Sequence, residues 1–439
     1  MDIGVITLLL VCALAILLIL TGMPIAFVLG FTGVLFTWVF LGASKWISLA
    51  LTTWYCMNNW AIAACLLFFL MANVLQKSGV VEDLFDTASM WLGFLPGGLA
   101  ISVVIVCAII AAMSGVAAAG VVLMGLLVIP EMLQRGYSKN ISIGCVAAGG
   151  PLGVLIPPST YFIFWGAFTG VSIGKLFMGG VFPGLLLTGL FALYIGIRCF
   201  INPSLGPPVK REVPVTLLEK LISLKAIIFP LILVFLVLGT IYLGICTPTE
   251  ASAMGAMGAI LCAASKGRLT WKMMRESAKG ALILNGMVMW LYFCGSIFSQ
   301  SLTSAGIISG AVKILVGLGL GKWGILILMQ ATFVVLGMFI DGICMVLVTM
   351  PFFFPLAMKL GFDPVWFGVL YIMNTQIGYL SPPFGFSLFY LKSVVPEGVT
   401  FSDIIRSVFP FMALQIVGLV IVMLLPSIAT WFPGLLIRG

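Results

Sequence analysis

Along the chain, apolar runs of roughly 20 residues, each long enough to cross a hydrocarbon core as a helix, alternate with short clusters of Gly, Pro and charge. In the first half the pattern predicts helices at about 3–20, 24–41 and 47–77 and an amphipathic stretch at 80–94. An apolar segment at about 97–136 follows, interrupted near "MSGVAAAG", then a broken helix at about 140–170 and a last helix at 176–200. The second half gives 224–245, 249–265, 280–302 and a stretch at 304–320. It continues with an interrupted segment at about 322–362, a broken helix at about 364–394 and a last helix at 406–432. The break in the first half is "GGPLGVLIPPS" (149–159), with three Gly and three Pro in eleven residues. Gly costs about 1 kcal/mol and Pro about 3 kcal/mol in a helix interior, so a continuous helix cannot run through it.

The halves repeat each other. "VLIPPSTYFIF" (154–164) resembles "YLSPPFGFSLF" (379–389), pairing Pro157 and Pro158 with Pro382 and Pro383 at an offset of 225. The same offset pairs Pro130 with Pro355 and Gly153 with Gly378, and Ala26, Gly30 and Gly33 with Ala251, Gly255 and Gly258. The boundary lies between 1–222 and 223–439. Each interrupted segment reads as two half-helices that enter and leave on one side, as a re-entrant hairpin. That leaves five full crossings per half, an odd number, which turns the second half upside down. Charge agrees: with the N-terminus outside, fifteen of the 21 Lys and Arg, among them Lys77, Lys139 and Lys266, fall on inside loops. The expectation is an all-α polytopic membrane protein, an inverted repeat with about 10–11 transmembrane helices plus two re-entrant helical hairpins.

Composition narrows the chemistry. The chain is 62% hydrophobic and 8% charged, and its net charge of +8 is explained by membrane-flanking loops without recourse to nucleic acid. There is no His, which removes the commonest general base and metal ligand. No phosphate-binding GxxxxGK[ST] loop is present, and the ten Cys lie in apolar segments without metal-ligand spacing. An enzyme and a transition-metal site are therefore not expected. The start of the chain, "MDIGVITLLLVCALAILLIL", lacks a basic n-region and reads as a spanning helix, not a cleavable signal.

Helix breaks exposed to lipid would leave backbone groups unpaired at several kcal/mol each. Matched breaks in inverted halves are the arrangement of secondary transporters, where half-helix ends face an anionic substrate and freed carbonyls hold the coupling cation. Asp341, the one charge between Lys322 and Lys359, falls at the second hairpin tip. It reads either as a ligand for sodium, a hard cation, or as the partner of backbone N–H groups at the turn. Ser114 occupies the corresponding first tip. Glu250, in "CTPTEAS", is placed at the start of a helix, where an acid meets the positive dipole end.

"GMPIAFVLG" (22–30), "LPGGLAIS" (95–102), "IPEMLQRGY" (129–137), "AAGGPLGVLIPPS" (147–159), "TPTEASAMGA" (247–256) and "GMFIDGICMVLVTMPFFFPLA" (337–357) followed by "GYLSPPFG" (378–385) resemble the large membrane subunit of tripartite ATP-independent periplasmic (TRAP) transporters. The motifs run in family order over nearly the whole chain. The resemblance implies an elevator-type sodium symporter for organic acids in the bacterial inner membrane. Its partners would be a small four-helix membrane subunit and a periplasmic solute-binding protein. Hairpins and broken helices would form the moving transport domain, and the other helices a scaffold against membrane lipid. One sodium is then expected at the first tip and break (Ser114, Gly115, Gly149, Gly150, Gly153), and another at the second (Asp341, Gly342, Asn374, Thr375, Gly378). The substrate, a small carboxylate or sulfonate, is expected near Ser159, Thr160 and Ser381. Where the family carries hydroxyls after the first Ser-Gly, this chain has Val116, Ala117 and Ala118. The alternatives are a stand-alone ion-coupled carboxylate carrier and, in a different class, a channel or scaffold protein.

Overall fold

The computed structural model of the chain describes residues 21–42, 45–209, 216–307, 310, 317 and 319–436. The helix expected at 3–20 and much of the 304–320 stretch lie outside these. Among the described residues every regular element is helical. Six helices among the described residues are long and apolar enough to span a membrane: Trp60–Lys77, Ile173–Ile201, Leu217–Tyr242, Trp271–Ser304, Gly342–Lys359 and Phe401–Leu424.

In the first half, α1 (Ile25–Phe36) runs on through a π-helical turn to Leu41. The helix expected at 47–77 is two, α2 (Trp46–Met57) and α3 (Trp60–Lys77). Asn59 causes the division: it leaves the helical region and its side chain accepts the Ala61 N–H at 3.1 Å, capping α3. Then follow α4 (Val80–Leu92), α5 (Gly98–Ser114), α6 (Ala117–Gln134), α7 (Lys139–Gly149), α8 (Thr160–Thr169) and α9 (Ile173–Ile201). A short α10 (Leu217–Ser223) spans the boundary, and the second half has α11 (Lys225–Val234, continuing to Tyr242), α12 (Pro248–Ser265) and α13 (Trp271–Ser304). Beyond these come α14 (Gly321–Gly337), α15 (Gly342–Lys359), α16 (Pro364–Leu380), α17 (Phe386–Lys392), α18 (Phe401–Leu424) and α19 (Ser427–Leu436). The last helix expected at 406–432 is thus divided at Leu425–Pro426, where the proline has no N–H to continue the ladder. Glu250 does stand at a helix start, completing a capping box with Thr247 at 2.8 Å.

The matched glycines of the two halves perform matched packing. On α1, a Cβ at Gly30 would lie 2.9 Å from Cys294 Sγ, and one at Gly33 2.9 Å from Phe298 Cα on α13. Of their counterparts on α12, Gly255 repeats this, a Cβ there lying 2.6 Å from Met71 Sδ on α3, while one at Gly258 would meet Leu233 Cδ1 on α11 of the same half at 2.7 Å. Small residues let helices approach closely where lipid provides no hydrophobic drive for association. The halves therefore exchange helices, α1 packing on α13 and α12 on α3. The same exchange occurs elsewhere, α18 lying on α7 and α9 on α16. Among the described residues, three ion pairs bridge elements distant in sequence: Lys77–Glu276 (2.8 Å), Lys139–Asp403 (3.3 Å) and Lys266–Asp83. Their lysines belong to loops that the charge pattern puts on one side.

Candidate functional site

Both interrupted segments are helical hairpins. In the first, α5 ends at Ser114 and Gly115 turns the chain with φ +65°, a left-handed conformation. A Cβ there would lie 2.2 Å from the Pro158 carbonyl oxygen, so the tip rests directly on the first break. The break is a 3-10 turn, Gly150–Val154, followed by irregular backbone to Ser159. Thr160 Oγ1 donates to the Gly115 carbonyl at 3.2 Å, tying α8 to the tip. Ser114 is buried and its hydroxyl has no hydrogen-bond partner. Val116, which leads into α6, offers no side-chain cap, and the hydroxyl of Ser159, which leads into α8, turns back to the Val154 carbonyl. The first-turn N–H groups of both helices are left without a side-chain acceptor, the polarity that attracts an anion.

The second tip is built differently. Asp341 is the N-cap of α15, its Oδ2 accepting the Ile343 N–H at 2.9 Å. Its Oδ1 accepts the hydroxyls of Tyr161 at 2.9 Å and Tyr379 at 3.0 Å, and the two hydroxyls also touch each other. Tyr161 comes from α8 of the first half and Tyr379 from α16 of the second. A carboxylate has about four lone-pair sites, so one stays open with these three donors in place. Tyr371 positions the tip by donating to the Gly342 carbonyl at 3.0 Å. Its ring lies 4.8 Å from those of Trp165 and Phe333.

The two tips and two breaks surround a cavity of about 490 Å³. One wall carries Val116, Ala117 and Ala118 from the first tip, Thr160 and Tyr161 from α8, Asp341, Ile343 and Cys344 from the second tip, and Tyr379. The other wall is apolar and comes from α1, α3 and α13, with Phe27, Phe69, Val288 and Leu291 among its residues. The starts of α6, α8 and α15 all lie on the first wall, so three positive dipole ends meet in one space.

The residues expected from the sequence fall into three groups. Ser114, Gly115, Gly153 and Thr160 gather at the first tip, Gly153 within 3.0 Å of the Val116 carbonyl oxygen if given a Cβ. Asp341, Gly342 and Thr375 gather at the second, where a Cβ at Gly342 would lie 3.2 Å from Thr375 Cγ2. Gly378 packs on Gly337 at the end of α14. Others sit away from the tips. Gly149 and Gly150 touch the arms of the first hairpin, where a Cβ would lie 2.9 Å from Cys107 Sγ and 2.1 Å from Val121 Cγ2. Asn374 turns to Gln330 on the arm α14, donating to its side-chain oxygen at 2.8 Å and leaving its own side-chain oxygen unpartnered. Ser159 and Ser381 are buried beside the cavity, hydrogen bonded to the Val154 and Ile377 carbonyls. Tyr161 and Tyr379 were not foreseen. In an apolar sequence a tyrosine reads as lipid contact, and only the fold shows these two converging on one carboxylate.

A sequence profile described as "Tripartite ATP-independent periplasmic transporter, DctM component" matches residues 11–428. The chain is 31% identical to the C4-dicarboxylate TRAP transporter large permease protein DctM of Rhodobacter capsulatus, over 98% of this chain and 99% of that protein. It is 33% identical to the isethionate TRAP transporter permease protein DctMQ of Oleidesulfovibrio alaskensis, over 95% of this chain and 65% of that one. Among solved structures, the Alcanivorax borkumensis YdaH transporter superposes with a TM-score of 0.59 at 15% identity, covering 88% of each chain, a likeness of fold.

Proposed function

Because the chain belongs to the DctM component family of tripartite ATP-independent periplasmic transporters, and is thus a polytopic large permease subunit and not an enzyme, we propose that it carries a small organic acid into the cell together with sodium. The acid is a carboxylate or a sulfonate, the classes named for the two relatives above. It arrives from a periplasmic solute-binding protein, and a small membrane subunit assists, in the bacterial inner membrane. The hairpins and broken helices form the moving body, and α1, α3, α12 and α13 belong to the scaffold.

The observation that carries this reading is the wall of the cavity. Uncapped helix starts attract an anion, yet the one charged side chain lining the cavity among the described residues is Asp341. Two like unit charges about 4 Å apart, at an effective dielectric near 20, repel by about 4 kcal/mol. A cation entering with the anion removes that repulsion, and sodium, which prefers oxygen ligands, suits the groups available. The first tip offers the unpartnered Ser114 hydroxyl and the Gly115 carbonyl, beside Gly153 and with Gly149 and Gly150 behind. The second offers the open site on Asp341, beside Gly342, whose carbonyl Tyr371 already engages, with Thr375 and Gly378 alongside and the free oxygen of Asn374 deeper in. The anion sits on the α6 and α8 starts near Thr160, with Ser159 and Ser381 supporting the breaks.

Uptake into proteoliposomes containing both membrane subunits, with the solute-binding protein outside, tests this in sodium and in potassium. The expected result is uptake in sodium alone. Equal rates in the two salts overturn sodium coupling, and uptake without the binding protein makes the chain a stand-alone carrier.

A further inference from the structure

The cavity lining restricts the anion further, and we infer that the substrate is a monoanion with an apolar body, not a dicarboxylate. The inference rests on the proposal above that this cavity is the substrate site. Anion-attracting groups are confined to one wall. They are the first-turn N–H groups of α6 and α8, since the start of α15 is already occupied by the Asp341 carboxylate. Of the hydroxyls lining the cavity, Thr160 is engaged with Gly115, and Tyr161 and Tyr379 with Asp341, while Tyr390 supplies one neutral donor. The remaining lining is Phe27, Phe69, Trp290, Phe386 and the aliphatic side chains of α1 and α13. No Lys or Arg lines the cavity among the described residues, the chain has no His, and residues 1–20 contain no Lys or Arg either. A dicarboxylate would press its second charge against that largely apolar wall, with only the neutral Trp290 N–H and Tyr390 hydroxyl to replace lost water and no cation to pair with it, a costly transfer. A monoanion puts its one charged group on the helix starts and its apolar body against α1, α3 and α13, where burial is favourable.

The test measures binding to the purified chain by tryptophan fluorescence and thermal protection, in sodium and in potassium. Benzoate and hexanoate serve as apolar monoanions, succinate and malate as dicarboxylates. In sodium, at least one monoanion is expected to bind tenfold or more tightly than either dicarboxylate. A Leu291→Ser variant should weaken that monoanion about tenfold while leaving its sodium requirement unchanged. Succinate or malate binding as tightly as both monoanions, with sodium still required, overturns the inference and leaves the transport proposal standing. Unchanged monoanion affinity in Leu291→Ser also counts against it. Binding of acids without regard to sodium, or of none of them, brings down the transport proposal and this inference together.

Discussion

The two hairpin tips occupy corresponding places in the repeated halves, yet their chemistry differs. The first is neutral, turned by a left-handed Gly115, with a buried hydroxyl on Ser114 that bonds to nothing. The second carries a carboxylate held by a backbone N–H and two tyrosines. A duplicated element has kept its shape while its chemistry diverged: one tip leaves helix starts without a side-chain cap, while the other fixes a negative charge beside them. Substitutions at equivalent positions should therefore produce unequal effects.

Gly115→Ala should be the most damaging. A side chain costs about 1–2 kcal/mol in the left-handed region, and its Cβ would meet the Pro158 carbonyl oxygen at 2.2 Å. Loss of transport with a fall in melting temperature is expected. Gly342→Ala, whose Cβ meets the Tyr161 ring at 2.5 Å, should reduce transport yet leave a folded protein, because Gly342 is not left-handed. Size-exclusion profiles and melting curves compare the pair, and equal behaviour would contradict the divergence.

Asp341→Asn comes next. Asn still accepts the Ile343 N–H, so membrane levels should hold, while the half-saturating sodium concentration rises at least about tenfold, equivalent to about 1.4 kcal/mol, or transport stops. A well-expressed Asn variant with normal sodium dependence would remove Asp341 from sodium binding.

Tyr161→Phe and Tyr379→Phe each remove a donor to a carboxylate, a bond of about 1.5–3 kcal/mol. Each should slow sodium-dependent uptake several-fold. Because the two hydroxyls also touch each other, the double variant should lose less than the sum of the singles; strict additivity would show that they act independently.

Ser114→Ala should have the smallest effect on stability, since deleting a buried hydroxyl that bonds to nothing leaves no partner stranded. A rise of a few-fold in the sodium concentration for half-maximal uptake, at an unchanged melting temperature, would mark the hydroxyl as a ligand. No change in sodium dependence would assign the first tip to its backbone alone.

What the sequence revealed depended on how local the cause was. Both breaks were legible because Gly and Pro penalise a helix wherever they stand, and the hairpin tips because they interrupt apolar runs at matched offsets. Asp341 stood out because an isolated charge is rare inside a hairpin. The division of the 47–77 run at Asn59 went unread, although Asn58–Asn59 was a capping signal in plain view. Asn374 was assigned by its nearness to the second break, and only packing shows its side chain reaching Gln330. The tyrosines were hidden for a subtler reason. The 225-residue offset pairs Tyr161 with Phe386 and Tyr379 with Val154, and all four line the cavity. The two hydroxyls stand at positions that are not equivalent, so comparing the halves could not have exposed them.

The crossed seams, α1 on α13 and α12 on α3, also bear on how the protein is made. The glycine face of α1 is synthesised some 250 residues before the helix that covers it, an interval of roughly 12–50 s at ordinary elongation rates. Through that time the nascent first half is held in the bilayer with this glycine face turned to lipid or the insertion machinery. Neither half can finish folding by itself, so the ribosome's clock, and not the stability of either half, sets when the cavity first closes.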